Sequence, residues 1–443
     1  MSSRRADRRT CARRGGAAVV ALLAAATAVA CSAADGADAG GGLGDTLDGD
    51  QVRGIAGDTI TVGAITVQSG PMAEAGRSLT AGNQAYFDAL GEAGGVADEY
   101  HVEVEVLDGA DRETTLADAY ERSRDDVALY VQVTGFRAAG AVLEALAADD
   151  VLAGAAALDF PWSRHQNLLA LGTPVTVGVH NALDWYVHEP GARSSVCAVV
   201  DRGDYGTAVA EAVEASAAVL YLDAGPVVDL PAAGAGAAVA GLEVAAAVDR
   251  LAEAGCDVVV AGTLPPSTTA ALDRAAATGF APVWFVPVAG RPAADDAAVE
   301  GDAEENVWLV GDDTWSGPGP EPSDGRDELD AARRAHAPGI PEDDPWFLLG
   351  WLQARAAHQV LERAVELGDL TPAGILSAAN HSERLDFAGL TADYPFGGPE
   401  FREPPRTTVL MRPGGRDVVT VGDDLPRTGS TPFEQEMQQL RNP

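Results

Sequence analysis

Residues 59–95, TITVGAITVQSGPMAEAGRSLTAGNQAYFDALGEAGG, decide how the rest of the chain is read. The first nine positions alternate β-branched and small side chains, the pattern of a buried strand. Ser69-Gly70-Pro71 breaks that pattern. From Gly76 the period changes. Leu79, Gly82, Tyr86 and Leu90 recur at helical spacing, with polar Asn83, Gln84 and Asp88 among them. Gly94-Gly95 stops the helix. Strand, short Ser-Gly loop and helix together place backbone N–H groups of a helix N-terminus beside the loop, where a polar or anionic group is stabilised.

The same unit repeats downstream. Residues 101–107 read as a strand and 112–124 as a helix. Residues 127–133 read as a strand and 136–148 as a helix, followed by a strand over 151–157. This alternation predicts a parallel sheet covered by helices on both faces. Ligands of such sheets bind beyond the carboxyl ends of the strands, which singles out the loops 68–73, 134–137 and 158–162. A second series begins near Thr176. It has a helix over 181–187 and strands over 195–201, 219–223, 257–261 and 282–287, with helices from Asp204 to about Ala217, over 242–254 and over 266–279. Beyond it, residues 307–310 are strand-like and 315–324 form a Pro/Gly-rich loop. A long helix follows, with Asp344 as N-cap, Pro345 in the first turn and Gly368 as the stop. A short helix over 371–379 and two strands, 407–411 and 417–421, complete the body. Residues 426–443 read as a tail.

At 443 residues the chain is long enough for two domains, each with its own core. Its net charge of −37 argues against nucleic acid as a partner, because binding there rests on neutralising phosphates. The chain has no lysine, which excludes a Walker-type phosphate loop and a pyridoxal Schiff base. The seven His residues are scattered without a His-Glu-x-x-His pattern, and no Gly-x-Ser-x-Gly elbow occurs. Gly234-Ala235-Gly236 is only half of a dinucleotide fingerprint and reads as a surface loop. No enzyme constellation, cofactor site or metal site is expected.

The N-terminus reads as an export signal. Arg4, Arg5, Arg8, Arg9, Arg13 and Arg14 precede an apolar run over 17–30, shorter than the roughly 20 residues a spanning helix needs. The run ends in Ala28-Val29-Ala30-Cys31, which resembles the lipobox of bacterial lipoproteins, with Ala28 where Leu is usual. Residues 1–30 are expected to be a signal peptide, Cys31 the lipidated residue, and 31–57 a Gly/Ala/Asp-rich flexible tether. The alternative is an ordinary signal peptide with an incidental Cys. The lipoprotein reading puts the body at the outer face of the cytoplasmic membrane, in the cell envelope.

Over about residues 58–425 the order of pieces resembles the branched-chain amino acid (leucine-binding-protein-like) type of periplasmic substrate-binding protein, the extracytoplasmic receptor of ABC importers. ITVGAITVQSGPMAEAG matches the opening of that family. Asp204-Tyr205-Gly206 matches the turn into the second domain's first helix. AEAGCDVVVAGTLPPSTTAALDRAAATGF and LDFAGLTADYPF match later segments. The resemblance implies the type I fold of periplasmic binding proteins: α/β, with two doubly wound parallel-sheet lobes joined by three hinge crossovers. These are expected near 171–179, 311–316 and 384–391. Lobe 1 would comprise 58–175 with 315–385, and lobe 2 would comprise 176–314 with 386–425.

The resemblance further implies ligand contacts from Ser69, Thr134, Phe136, Leu158 and Asp159 of the first lobe. From the second it implies Tyr205, Thr263, Leu264 and Val288. Amino-acid-binding members carry a carboxylate near Val288 for the ligand's ammonium; here that position is apolar. With Cys31 lipidated, Cys197 and Cys256 remain for one disulfide, since Cys256 precedes a strand that neighbours the strand of Cys197 in this topology. Two free buried thiols are the alternative. The function implied is a monomeric lipoprotein that captures a small polar or amphipathic metabolite and passes it to ABC permease subunits. A ligand-sensing receptor of the same fold, without transport, stays open.

Overall fold

A computed structural model describes residues 52–70, 72–110, 112–135, 138–156, 165–231, 237–291, 305–312, 323–382, 384–391, 396, 398, 406–413, 417–422 and 431–441. Two sheets organise it. The first lobe begins with β1 (Ile55–Ala56) and β2 (Thr59–Thr66), then α1 (Ala73–Ala93), β3 (His101–Asp108), α2 (Glu113–Ser123), β4 (Leu129–Thr134), α3 (Leu143–Ala148), β5 (Ala153–Ala156) and β6 (Leu168–Ala170). Its sheet runs β1-β2-β4-β5-β6, with β3 on the other side of β2. All these pairings are parallel except the short β1–β2 hairpin.

The second lobe takes up α4 (Val175–Val187), β7 (Ser195–Asp201), α5 (Asp204–Leu220), β8 (Asp223–Leu230), α6 (Ala237–Ala254), β9 (Val258–Gly262), α7 (Pro265–Thr278), β10 (Val283–Pro287) and β11 (Val307–Gly311). The chain then returns to the first lobe through α8 (Asp324–His336), α9 (Pro345–Leu367) and α10 (Pro372–Asn380). It ends in the second lobe with β12 (Thr408–Met411), β13 (Val418–Val421) and α11 (Pro432–Arg441). The second sheet is ordered β13-β12-β11-β10-β9-β7-β8, with β12 and β13 antiparallel at one edge. Each sheet is packed on both faces, so each lobe has two cores.

The first lobe's larger core is built on α1 against α9. Gly82 and Gly350 let these helices touch: a Cβ on Gly82 would lie 2.2 Å from the Phe347 carbonyl, and one on Gly350 would lie 1.9 Å from that of Leu79. Asn83 Nδ2 donates to the Gly350 carbonyl across the same contact at 2.7 Å. Helix α9 starts as its sequence prescribes. Asp344 accepts hydrogen bonds from Trp346 N and Phe347 N, and Gly368 ends the helix in the left-handed region.

The structure corrects four expectations. The strand read at 219–223 is instead the end of α5 at Leu220, and β8 runs from Asp223 to Leu230. Residues 426–443 are not simply a tail, because 432–441 form α11, with Phe433 and Met437 buried in the second lobe. Thr431 and Glu434 make a reciprocal capping box, Thr431 N to Glu434 Oε2 at 2.9 Å and Glu434 N to Thr431 Oγ1 at 3.2 Å. The third crossover does not fall at 384–391. Leu385, Phe387, Leu390 and Phe396 all lie in the first lobe's core, and Arg355 Nε and Gln359 Nε2 donate to the Asp386 carbonyl. The crossing therefore lies between Phe396 and β12. Finally, α8 forms where no helix was expected, N-capped by Ser323 accepting from Arg326 N.

Cys197, in β7, and Cys256, just before β9, are joined by a disulfide with Cα atoms 5.9 Å apart. The neighbouring registers of β7 and β9 bring them together.

Candidate functional site

The carboxyl ends of the strands in both lobes carry the loops that sequence reasoning singled out. Ser69 follows β2 and is exposed. Its side chain joins Gln68 N and Ala110 N, each at 2.9 Å, in hydrogen bonding the Asp108 carboxylate. Desolvation pushes that carboxyl up, but these bonds outweigh it and hold it below the usual range. Thr134 ends β4 half-buried. Gln132 Nε2 donates to Thr134 Oγ1 at 2.6 Å and to Thr66 Oγ1 at 2.7 Å, and Thr66 Oγ1 donates to the Gly76 carbonyl of α1. Gln132 Oε1 is buried with no partner among the described residues. Phe136, Leu158, Asp159 and Cys31 lie outside the described residues.

Across the cleft, Tyr205 sits in the first turn of α5 and is buried. Its hydroxyl donates to the Pro287 carbonyl at 3.5 Å. Burial, reinforced by the charge of Asp201, pushes its ionisation far above the ordinary phenol value, so it acts as a neutral group. Thr263 is fully buried, its hydroxyl 2.7 Å from that of Thr268. Leu264 N-caps α7 and its backbone N donates to Asp201 Oδ2 at 2.7 Å. Desolvation raises the Asp201 carboxyl, partly offset by the bonds from Leu264 N and Ser267. Thr263 and Asp201 thus fasten the start of α7. Val288 follows β10 and is half-buried.

Of these positions, Tyr205 and Val288 meet in one small pocket between the lobes, a cavity of ≈ 50 Å³ that opens to solvent. Ser69, Thr134, Thr263 and Leu264 do not line it. The other lining residues come from the first crossover (Leu171, Gly172, Thr173), α4 (Val175, Gly178), the end of β10 (Ala289), the second crossover (Val310, Gly311, Asp312) and the start of α9 (Trp346, Leu349). The lining is mainly apolar. Thr173 ties the hinge together: its N donates to Asp312 Oδ2 and its hydroxyl donates to the Thr407 carbonyl, so one residue links three crossing strands. Asn181 Nδ2 adds a bond to the Arg406 carbonyl at 2.7 Å.

Sequence reasoning expected crossovers at 171–179 and 311–316 but did not name their residues as site residues, because it looked for contacts at strand ends. The signal for Trp346 was present in the Asp344-Pro345 helix start, which fixes Trp346 in the first turn. Thr173 and Asp312 carry no local signature; their pairing spans most of the second lobe's sequence. Among the described residues no group of three or more His, Cys, Asp and Glu is placed to hold a metal ion, and no helix is long and apolar enough to cross a membrane.

Residues 59–415 match the profile of a family described as periplasmic binding protein. No curated protein matches the chain. Among solved structures, a fatty acid ABC transporter substrate-binding protein from Thermomonospora curvata superposes with a TM-score of 0.70 at 19% identity, covering 87% of this chain and 96% of that one. A branched chain amino acid ABC transporter protein from Thermus thermophilus, with bound valine, gives 0.70 at 17% identity over 86% and 99%. A leucine-binding protein from Thermotoga maritima gives 0.64 at 16% identity over 82% and 99%. At these identities the likeness is one of fold.

Proposed function

The chain belongs to the periplasmic binding protein family, and on that premise we propose that it is an extracytoplasmic solute receptor. It captures a small polar or amphipathic metabolite between its lobes and delivers it to the permease of an ABC importer. The observation that carries this reading is the pocket whose walls come from both lobes and whose floor is the hinge. A solute bound there contacts both lobes at once, so its binding energy favours the closed arrangement over the open one. Two superposable proteins are named for a fatty acid and for valine, chemically different solutes on one fold. The solute must therefore be read from the site. Anchoring through a lipid on Cys31, with the tether that follows, keeps the receptor near its permease. Ser69, Thr134, Thr263 and Leu264, outside the lining of this pocket, are proposed as further ligand contacts, together with Phe136, Leu158 and Asp159.

The test is mass spectrometry of small molecules released by mild denaturation of the purified protein, followed by a thermal-shift screen with the compounds found. A released solute that raises the melting temperature supports the reading. An empty protein that no metabolite in a broad panel stabilises would sink it. Metabolic labelling with a fatty acid, lost in Cys31→Ser, tests the anchor.

A further inference from the structure

We infer that the hinge pocket receives an uncharged alkyl or aryl group of the solute. The solute is then an amphipathic molecule gripped by its apolar end, not an α-amino acid held by its ammonium group. This rests on the solute-receptor reading and narrows it. Tyr205 and Val288 from the second lobe face Trp346 and Leu349 from the first, with Leu171 and Val310 at the hinge. Such a lining removes an apolar group from water on the sides it covers. It offers little to a charge, whose desolvation has to be repaid by partners. Two of the polar groups along the described lining, Thr173 and Asp312, are engaged in tying the hinge. Thr173 N is bonded to the Asp312 carboxylate and the Thr173 hydroxyl to the Thr407 carbonyl. No arginine lines the pocket among the described residues, so a carboxylate has no ion-pair partner there. Val288, half-buried and part of the lining, is the residue whose size limits the chain that fits beside it.

Calorimetry with three straight-chain series from four to eight carbons tests this: primary alcohols, carboxylates and primary amines, with L-leucine and L-valine alongside. Affinity is expected to rise about fourfold per added methylene until the pocket is full, in the alcohol and carboxylate series alike. Val288→Leu is expected to shorten the best chain by one or two carbons. Val288→Asp is expected to abolish the chain-length dependence while the protein stays folded by circular dichroism. Three results would each overturn the inference: affinity independent of chain length, amines at least tenfold tighter than alcohols at every length, or leucine or valine tighter than every chain. If a polar solute co-purifies and binds without chain-length dependence, only this inference fails. If nothing co-purifies and no probe binds, the receptor reading fails with it.

Discussion

The two lobes share a plan but hold together differently. The first relies on distributed packing: α1 lies against α9 at Gly82 and Gly350, around a large apolar cluster that includes Leu352, Val360 and Leu361. The second adds discrete fasteners. It has the Cys197–Cys256 disulfide and a buried Arg406–Glu434 ion pair that clasps α11. It also has His180, stacked on Phe433 with ring centroids 4.3 Å apart and Nδ1 3.1 Å from Ser216 Oγ. Packing responds weakly to redox and pH, whereas the disulfide answers to redox and His180 to pH. The lobes should therefore separate under conditions that attack single bonds.

The largest separation is expected from the disulfide. Its half-cystines are 59 residues apart, and a closed loop of that length contributes about 4 kcal/mol in the chain-entropy model. Cys197→Ser with Cys256→Ser should split thermal unfolding into two transitions, the second lobe melting first. A single transition shifted as a whole would show that the lobes are not energetically separable. Next comes Glu434→Ala, at about 3 kcal/mol. Breaking a buried pair strands a charge, here the Arg406 guanidinium, but α11 can lift away and let it hydrate, which keeps the loss near the low end. Proteolysis beyond β13 should accelerate in this variant, with the first lobe's protection unchanged.

The pH effect on the same lobe has a definite sign. Burial lowers His180 from 6.5 to about 4, so the unfolded chain binds this proton more readily. Its contribution is complete above pH 6.5 and drains away as pH falls toward 4, by about 3 kcal/mol at most. His180→Phe should flatten denaturation midpoints across that window. An unchanged slope would mean that His180 is hydrated before unfolding.

How much of this was legible in the sequence depends on how local each signal is. The strand–loop–helix rhythm read correctly for most of both sheets, because periodicity is a local property, but β8 was placed four residues early at 219–223 and the short β6 was missed. The start and stop of α9 read correctly for the same reason: Asp344-Pro345 and Gly368 act on their own turns. Helix α11 was misread although Thr431-Pro432-Phe433-Glu434 contains a capping box. Pro426, Gly429 and polar residues surround it, and its stability comes from Arg406 and the second lobe's core, far away in sequence. The same holds for residues 385–396. Their apolar residues fit either lobe on paper, and only the bonds from Arg355 and Gln359 to Asp386 decide. Tyr205 and Val288, which line the pocket, were named by position within a resemblance. Thr173 and Asp312 fall in expected crossovers, but their joining, and Trp346 beside them, emerge only when distant segments are brought together in space.

The first lobe should answer to changes in packing and capping by smaller amounts. Gly350→Ala sets two effects against each other. Alanine favours a helix interior by up to about 1 kcal/mol over glycine. The added methyl, however, would lie 1.9 Å from the Leu79 carbonyl and force α1 and α9 apart. Overpacking of this kind costs about 1–3 kcal/mol, so the clash wins by up to about 2 kcal/mol.

Asp344→Ala is the mildest test, because it removes a cap without touching the core. The carboxylate accepts from Trp346 N at 2.9 Å and Phe347 N at 3.0 Å, two of the donors a helix start leaves unmet. Water can replace part of what is lost, so about 1 kcal/mol is expected. Because α9 packs in the first lobe, the upper transition of the disulfide-free protein should move and the lower one stay. If the lower transition moves instead, α9 stabilises the second lobe through the hinge, and the contrast between packed and fastened lobes fails. Trp346, one turn from the cap, also lines the pocket, so solute affinity should weaken with the same substitution even where the melting shift is small.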